Sequence, residues 1–187
     1  MRITIILAFS AILLFSTCNT IFARNIDDIG QSSIAPDSPF YFLKAIREAL
    51  ETKLAITDQV KEYRQIEFAT RRLREIKTLI SDNHQELIQA SVERYWFYID
   101  KLPDSSNVIQ AITLHLRIFE EIYKDLENPK AKMAIRLIIN KLSKKAEIPV
   151  AVRIGACKFL AKEASSSALN QVEKAILSER ADKCFKL

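Results

Sequence analysis

Glycine is nearly missing from this chain. Two of its 187 residues are glycine and five are proline. Two glycines cannot supply the Gly-rich loop that brings backbone N–H groups onto a phosphate. No segment alternates apolar and polar residues between turn signals, which excludes an all-β or α/β architecture. Histidine is scarce too, with only His84 and His115. No Glu-x-x-His, His-Glu-x-x-His or Cys-x-x-Cys spacing occurs, so no metal ligand set is expected. A Gly-x-Ser-x-Gly nucleophile elbow is also absent. The paired acids Glu120 and Glu121 lie mid-helix, and Phe119 and Tyr123 mark the buried side, so these acids are expected in solvent. No catalytic residue, cofactor or metal is predicted, and the chain is not read as an enzyme.

A strong charge of one sign is lacking as well. Lysine and arginine number 28 against 23 acids, a net +5. That is mild and reads as a solubility setting. Arg64, Arg71, Arg72, Arg74 and Lys77 fall close together, but Glu62, Glu67 and Glu75 are interleaved. Glu67 and Arg71 stand four apart in the favourable order. This is expected to be a solvated, self-paired face, and nucleic acid is not an expected partner.

The chain does have a signal-like start. Arg2 precedes an uncharged apolar run over residues 3–15, too short to span a bilayer, which takes ~20 residues. Small and polar residues then lead to Ile21-Phe22-Ala23, the layout of a secretory signal peptide cleaved after Ala23. An uncleaved anchor, or a lipid on Cys18, are the alternatives, and the only expected routes to a membrane. Localisation is therefore expected to be exported, periplasmic or extracellular. Residues 24–35 read as a flexible leader. Residues 36–146 read as a helical bundle domain, and residues 147–187 as a C-terminal helical hairpin packed on it. Cys157 and Cys184 would remain after cleavage and are a candidate disulfide in an oxidising compartment.

The fold class is all-α, an antiparallel bundle of six to seven helices. Apolar spacing predicts helices over 39–56, 58–81, 84–102, 105–126, 129–146, 149–164 and 167–180. Ser38 is the expected cap of the first, with Pro39 at its first position. Each helix should bury one stripe: Leu43, Ile46, Leu50 and Leu54 in the first; Ile66, Ala69, Leu73, Ile76 and Ile80 in the second; Val92, Tyr95, Ile99 and Leu102 in the third. The fourth should bury Ile109, Ile112, Leu116, Phe119, Tyr123 and Leu126. Later stripes are Ala134, Leu137, Ile138 and Leu142, then Ile154, Cys157 and Leu160, then Leu169, Val172 and Ile176.

Aromatic residues cluster at two places. Phe40, Tyr41 and Phe42 open the first helix and are expected to wedge the leader against the bundle. Tyr95 to Tyr98 point all round a helix, so part of that cluster should stay at an edge. Tyr41, Tyr95, Trp96 and Tyr98 are the candidate partner contacts.

Four stretches carry a resemblance. Pro36-Asp37-Ser38-Pro39-Phe40-Tyr41-Phe42-Leu43-Lys44 is similar to a Pro-x-Ser-Pro-aromatic/Leu-Tyr-x-Leu-Lys start. Ala69-Thr70-Arg71-Arg72-Leu73-Arg74-Glu75 is similar to an Ala-x-x-Arg-Leu-x-Glu run. Tyr95 and the run from His115 to Glu120 complete the pattern. Together they resemble an uncharacterised family of exported bacterial helical proteins, a domain of unknown function, over residues 36–144. The resemblance implies an exported or membrane-tethered, non-enzymatic protein and carries no catalytic residue. The segment over 150–176 weakly resembles one unit of a HEAT-type repeat, which needs neighbours to bury its faces. The expected role is protein–protein contact in the cell envelope with a protein partner. The alternative is a periplasmic ligand-binding or chaperone-like protein using an aromatic surface.

Overall fold

Small polar residues and prolines set most of the helix starts. Thr57 Oγ1 accepts from the Val60 amide (3.2 Å), opening the helix Asp58–Ser81. Ser105 Oγ accepts from the Val108 amide (3.2 Å), opening Ser106–Ile122. Asn128 Oδ1 accepts from the Lys130 and Ala131 amides, with Pro129 in the first turn of Pro129–Leu142. Asn170 and Glu173 form a reciprocal capping box at the start of Gln171–Phe185. Each device satisfies amides that have no partner within the helix.

The protein's structure, a computed structural model, describes residues 29–34, 36–145, 147–166 and 169–186. The signal-peptide reading of residues 1–23, with Cys18 in it, lies outside the described residues. Among these, the fold is all-α, a multi-helix bundle without strands: α1 Tyr41–Leu54, α2 Asp58–Ser81, α3 Ile88–Ile99, α4 Ser106–Ile122, α5 Pro129–Leu142, α6 Val150–Ala164 and α7 Gln171–Phe185. Single 3₁₀ turns, Gln85–Leu87 and Tyr123–Asp125, precede α3 and follow α4.

α2 ends at a residue with positive φ, Asn83 (φ 60°). The Asn83 amide donates to the Ile80 carbonyl and the His84 amide to the Leu79 carbonyl, the two closing bonds of a left-handed helix stop. The turn sends α3 back along α2, and the two helices pack closely. α5 packs on α3, α4 on α2 and α5, α6 on α5, and α7 mainly on α6. In the core, the Tyr95 ring meets Phe119 edge-on at 5.0 Å. Tyr95, Phe68, Phe119, Leu73 and Ile76 are fully buried. A buried side chain of that kind stabilises by roughly 1.5–3 kcal/mol over an exposed one.

Gln85 joins two connections. Its Oε1 accepts from the Glu127 and Asn128 amides (2.8 and 2.9 Å), holding the entry to α5 against the entry to α3. The C-terminal hairpin is tied covalently. Cys157 of α6 and Cys184 of α7 form a disulfide, with Cα atoms 5.6 Å apart.

Several expectations need correction. The first helix begins at Tyr41, and Ser38 does not cap it. Instead Ser38 turns the chain ahead of it, its Oγ accepting from the Phe40 amide (3.3 Å) and its carbonyl from the Tyr41 amide (2.9 Å). The leader was expected to be flexible, yet residues 29–34 are held on α2. The Arg74 guanidinium donates to the Ile29 carbonyl (2.5 Å), and the Ser32 amide to Thr78 Oγ1 (2.9 Å). Leu137, Ile154, Val172 and Ile176 lie at the surface, where burial was expected. In α7 the buried face is Leu177, Ala181 and Cys184, because the disulfide fixes which side meets α6.

Candidate functional site

α1 is amphipathic, and it docks by its polar side. Its only buried residue is Glu48. Leu43, Ile46, Leu50 and Leu54, the stripe expected in the core, are 46–72% exposed. Phe40 and Phe42 also face outward, so only Tyr41 of the three opening aromatics packs inward. The stripe and the docking face lie on opposite sides of the same three turns. Tyr41, Lys44, Glu48 and Glu51 recur every three to four residues, so they share one side of the helix.

That side meets Arg71, Arg72 and Glu75 of α2. The Arg72 guanidinium bonds Glu48, Glu75 (2.9 and 3.1 Å) and the Tyr41 hydroxyl. The Tyr41 hydroxyl donates to Glu75 Oε2 (3.2 Å) and accepts from Arg94 of α3 (2.7 Å). Lys44 Nζ donates three times, to Glu75 Oε1 (2.8 Å), Ser32 Oγ (2.6 Å) and the Ile34 carbonyl (2.6 Å). One ammonium thus joins α1, α2 and the leader. Tyr98 of α3 donates to Glu48 Oε2 (2.8 Å). Arg71 bonds Glu51 at 3.0 Å and Glu67 at 3.4 Å. The arginine face of α2 is therefore paired with α1 as well as with itself.

The electrostatics agree with this geometry. Burial raises the Tyr41 and Tyr98 phenols, with Glu75 and Glu48 adding to the effect. Both stay protonated and available as donors. Burial opposes the Arg72 charge, but Glu75 and Glu48 outweigh it and its pKa is raised. The cluster is suited to holding α1 in one orientation, since neither phenol ionises near neutral pH.

A second polar contact lies deeper. Tyr95 of α3 is fully buried and bonds His115 Nδ1 of α4 (2.9 Å). His115 Nε2 meets Thr70 Oγ1 (3.1 Å), whose hydroxyl donates to the Ile66 carbonyl (2.9 Å). Thr70 has spent its proton, so Nε2 must donate and Nδ1 must accept from Tyr95. The imidazole is neutral, and burial holds its pKa at about 3. The unfolded chain binds this proton below about pH 6.5 while the folded chain does not, so stability falls with pH by roughly 1.4 kcal/mol per unit from there down to about pH 3. In His115→Gln that contribution is gone. The stability gap between wild type and variant, followed by urea unfolding, should narrow as pH drops from 6 to 4. A constant gap would mean that His115 is not held neutral.

Of the four candidate partner contacts, Tyr41 and Tyr98 are half-buried in the α1 clamp and Tyr95 is in the core. Trp96 opens on a groove of about 240 Å³ between α3, α5 and α7. Glu120, expected in solvent, is half-buried. It lines a cleft with Lys132 and Glu163, where burial raises its pKa. Glu163 there bonds the Tyr123 hydroxyl and faces Arg136 at 3.7 Å. Among the described residues no group of three or more His, Cys, Asp and Glu side chains could hold a metal ion. No described helix is long and apolar enough to cross a membrane.

Fold and site together define an all-helical bundle whose first helix is clamped by ions with its apolar side outward. The family model described as Domain of unknown function (DUF5667) matches residues 33–147, and the chain belongs to that family. The matched stretch contains α1 to α5 and leaves α6 and α7 outside. No curated protein and no solved structure matches the chain. The stretches that carried the resemblance meet in space as two pairs. Tyr41 and Lys44 of the opening motif bond Arg72 and Glu75 of the second, and Tyr95 bonds His115.

Proposed function

We propose that this protein is exported, non-enzymatic and acts in the cell envelope by docking a partner protein on the outward face of α1. The observation that carries this reading is that face: Leu43, Ile46, Leu50 and Leu54 in one exposed stripe, on a helix that a charged clamp keeps from rolling inward. Stripes of this kind on a folded surface mark interaction sites. The signal-like sequence of residues 1–23 supports export.

The occupant that fits is an amphipathic helix bearing acids beside its apolar stripe. Both acids of α1, Glu48 and Glu51, are turned toward arginines of α2. The cations that α1 exposes are Lys53 and Arg47, the latter also paired with Glu51 (2.6 Å). A helix with Leu or Phe at three-four spacing and Asp or Glu alongside would meet both features. A second copy of this face would bring like charges together.

A photo-crosslinker placed at Leu50 in envelope preparations tests this. The expected product joins Leu50 to one protein, through a segment with apolar three-four spacing and flanking acids. Charge reversal by Arg47→Glu with Lys53→Glu should abolish it. Products with a second copy of the chain, with lipid alone, or scattered over many proteins would overturn the reading.

A further inference from the structure

The groove beneath Trp96 is apolar where two other clefts among the described residues are polar. Its walls are Val92 and Trp96 from α3, and Met133, Leu137 and Ile138 from α5. Met133 is 51% exposed and Leu137 38%, so the apolar walls are open to solvent. One of these two clefts is lined mostly by uncharged polar and charged side chains, and the other mostly by lysine, arginine and glutamate. At about 240 Å³ the groove lies below the ~300–1,000 Å³ typical of sites for drug-sized ligands. It has room for one acyl chain or aromatic ring, and is too small for a large cofactor.

Two cations stand at this groove. Lys141 Nζ lies 4.5 Å over the Trp96 ring, and Arg180 reaches in from α7. Among the described residues neither forms an ion pair with a carboxylate. The acid at the groove, Glu93, accepts from Gln89 Nε2 (2.9 Å) instead. An apolar slot with two half-buried cations, neither in direct contact with a carboxylate among the described residues, complements a molecule with a hydrocarbon body and one anionic end.

We infer that this groove binds a small amphiphilic anion, an acyl or aryl carboxylate. The hydrocarbon part lies against Trp96, Met133 and Leu137, and the carboxylate faces Lys141 and Arg180. The source of that chemistry is either a free carboxylate or the anionic surface of a lipid bilayer. The inference is independent of what occupies α1, because groove and stripe share no residue.

Trp96 is the single tryptophan of the chain, so its fluorescence reports on this groove alone. The full chain is titrated with decanoate below its micelle concentration, with decanol as the uncharged match, and with vesicles of phosphatidylglycerol. Calorimetry provides a second readout. Decanoate should give a saturable change in Trp96 emission, with decanol binding about tenfold or more weaker, the loss expected when a charge-assisted bond is removed. Arg180→Gln should weaken decanoate by a similar factor and leave decanol unchanged. Leu137→Glu sits at a partly exposed wall and should abolish decanoate binding without unfolding the chain. The inference is overturned by equal binding of decanoate and decanol, by no saturable change, or by an Arg180→Gln variant that binds decanoate as wild type does. A response to vesicles but not to decanoate assigns the anion to a lipid surface and overturns the free carboxylate as the ligand.

Discussion

Arg72→Met is expected to lower the free energy of unfolding by about 3–5 kcal/mol. Arg72 is 2% exposed and stands between Glu48 and Glu75, themselves 6% and 0% exposed. Methionine fills much of the same volume but leaves two carboxylates buried. Lys44 stays on Glu75, Arg71 lies 3.8 Å from Glu48, and the Tyr41 and Tyr98 hydroxyls remain, but the one guanidinium that bonds both carboxylates directly is gone. Buried carboxylates left with fewer cations and donors than they need are what make breaking such a cluster costly; the intact cluster contributes far less than that figure, because its own desolvation offsets most of the attraction. Adding Glu48→Leu and Glu75→Leu to Arg72→Met should therefore recover most of the loss. Urea unfolding at pH 7 reads both effects as shifts of the midpoint at constant slope. A loss below about 1 kcal/mol would mean that both acids reach water, and that α1 is not held on α2 as described.

Opening the Cys157–Cys184 disulfide has the next largest expected effect. The two residues are 27 apart in sequence and both 1% exposed. Closing a loop of that length removes unfolded-state entropy equivalent to about 3.5 kcal/mol at 25 °C. The double substitution of Cys157 and Cys184 by Ala should cost about that much, and the loss should be local. α7 packs mainly on α6, so it has few other attachments. Hydrogen exchange should rise in α7 and change little around Tyr95 in α3. Uniform acceleration across α3 and α7 would show that the hairpin and bundle unfold as one unit. No acceleration would show that α7 is held by packing alone.

Much of the helical architecture was legible in the sequence. The bounds of α2 and the buried stripes of α3 and α4 follow from periodicity and capping, and Val92, Tyr95, Ile99, Ile112, Leu116 and Phe119 all lie in the core. The orientation of α1 was not legible by the same means. Periodicity locates the apolar side of a helix and says nothing of which side the fold will use. The available signal was polar: Tyr41, Lys44, Glu48 and Glu51 share a spacing, and Arg71, Arg72 and Glu75 offer matching charges. Reading Glu67 to Arg71 as a self-paired face hid that match, because pairs within one helix compete with pairs between helices at the same distance. The α7 face was missed for a different reason. Val172 and Ile176 are apolar, but the covalent bond at Cys184 turns them outward. The groove at Trp96 was visible only as an aromatic cluster, since its cations come from α5 and α7.

The central claim is that α1 presents its apolar side to solvent while its charged side is buried. Unfolding of the double variant Ile46→Gln with Leu50→Gln tests this most directly. Glutamine keeps helix propensity close to that of the residues it replaces. If the stripe faces solvent, the free energy of unfolding stays within about 0.5 kcal/mol of wild type, as for surface positions in general. If the stripe packs in a core, each substitution removes buried apolar volume and buries an amide, and the loss reaches several kcal/mol. The structure predicts the first result, and the second would contradict it.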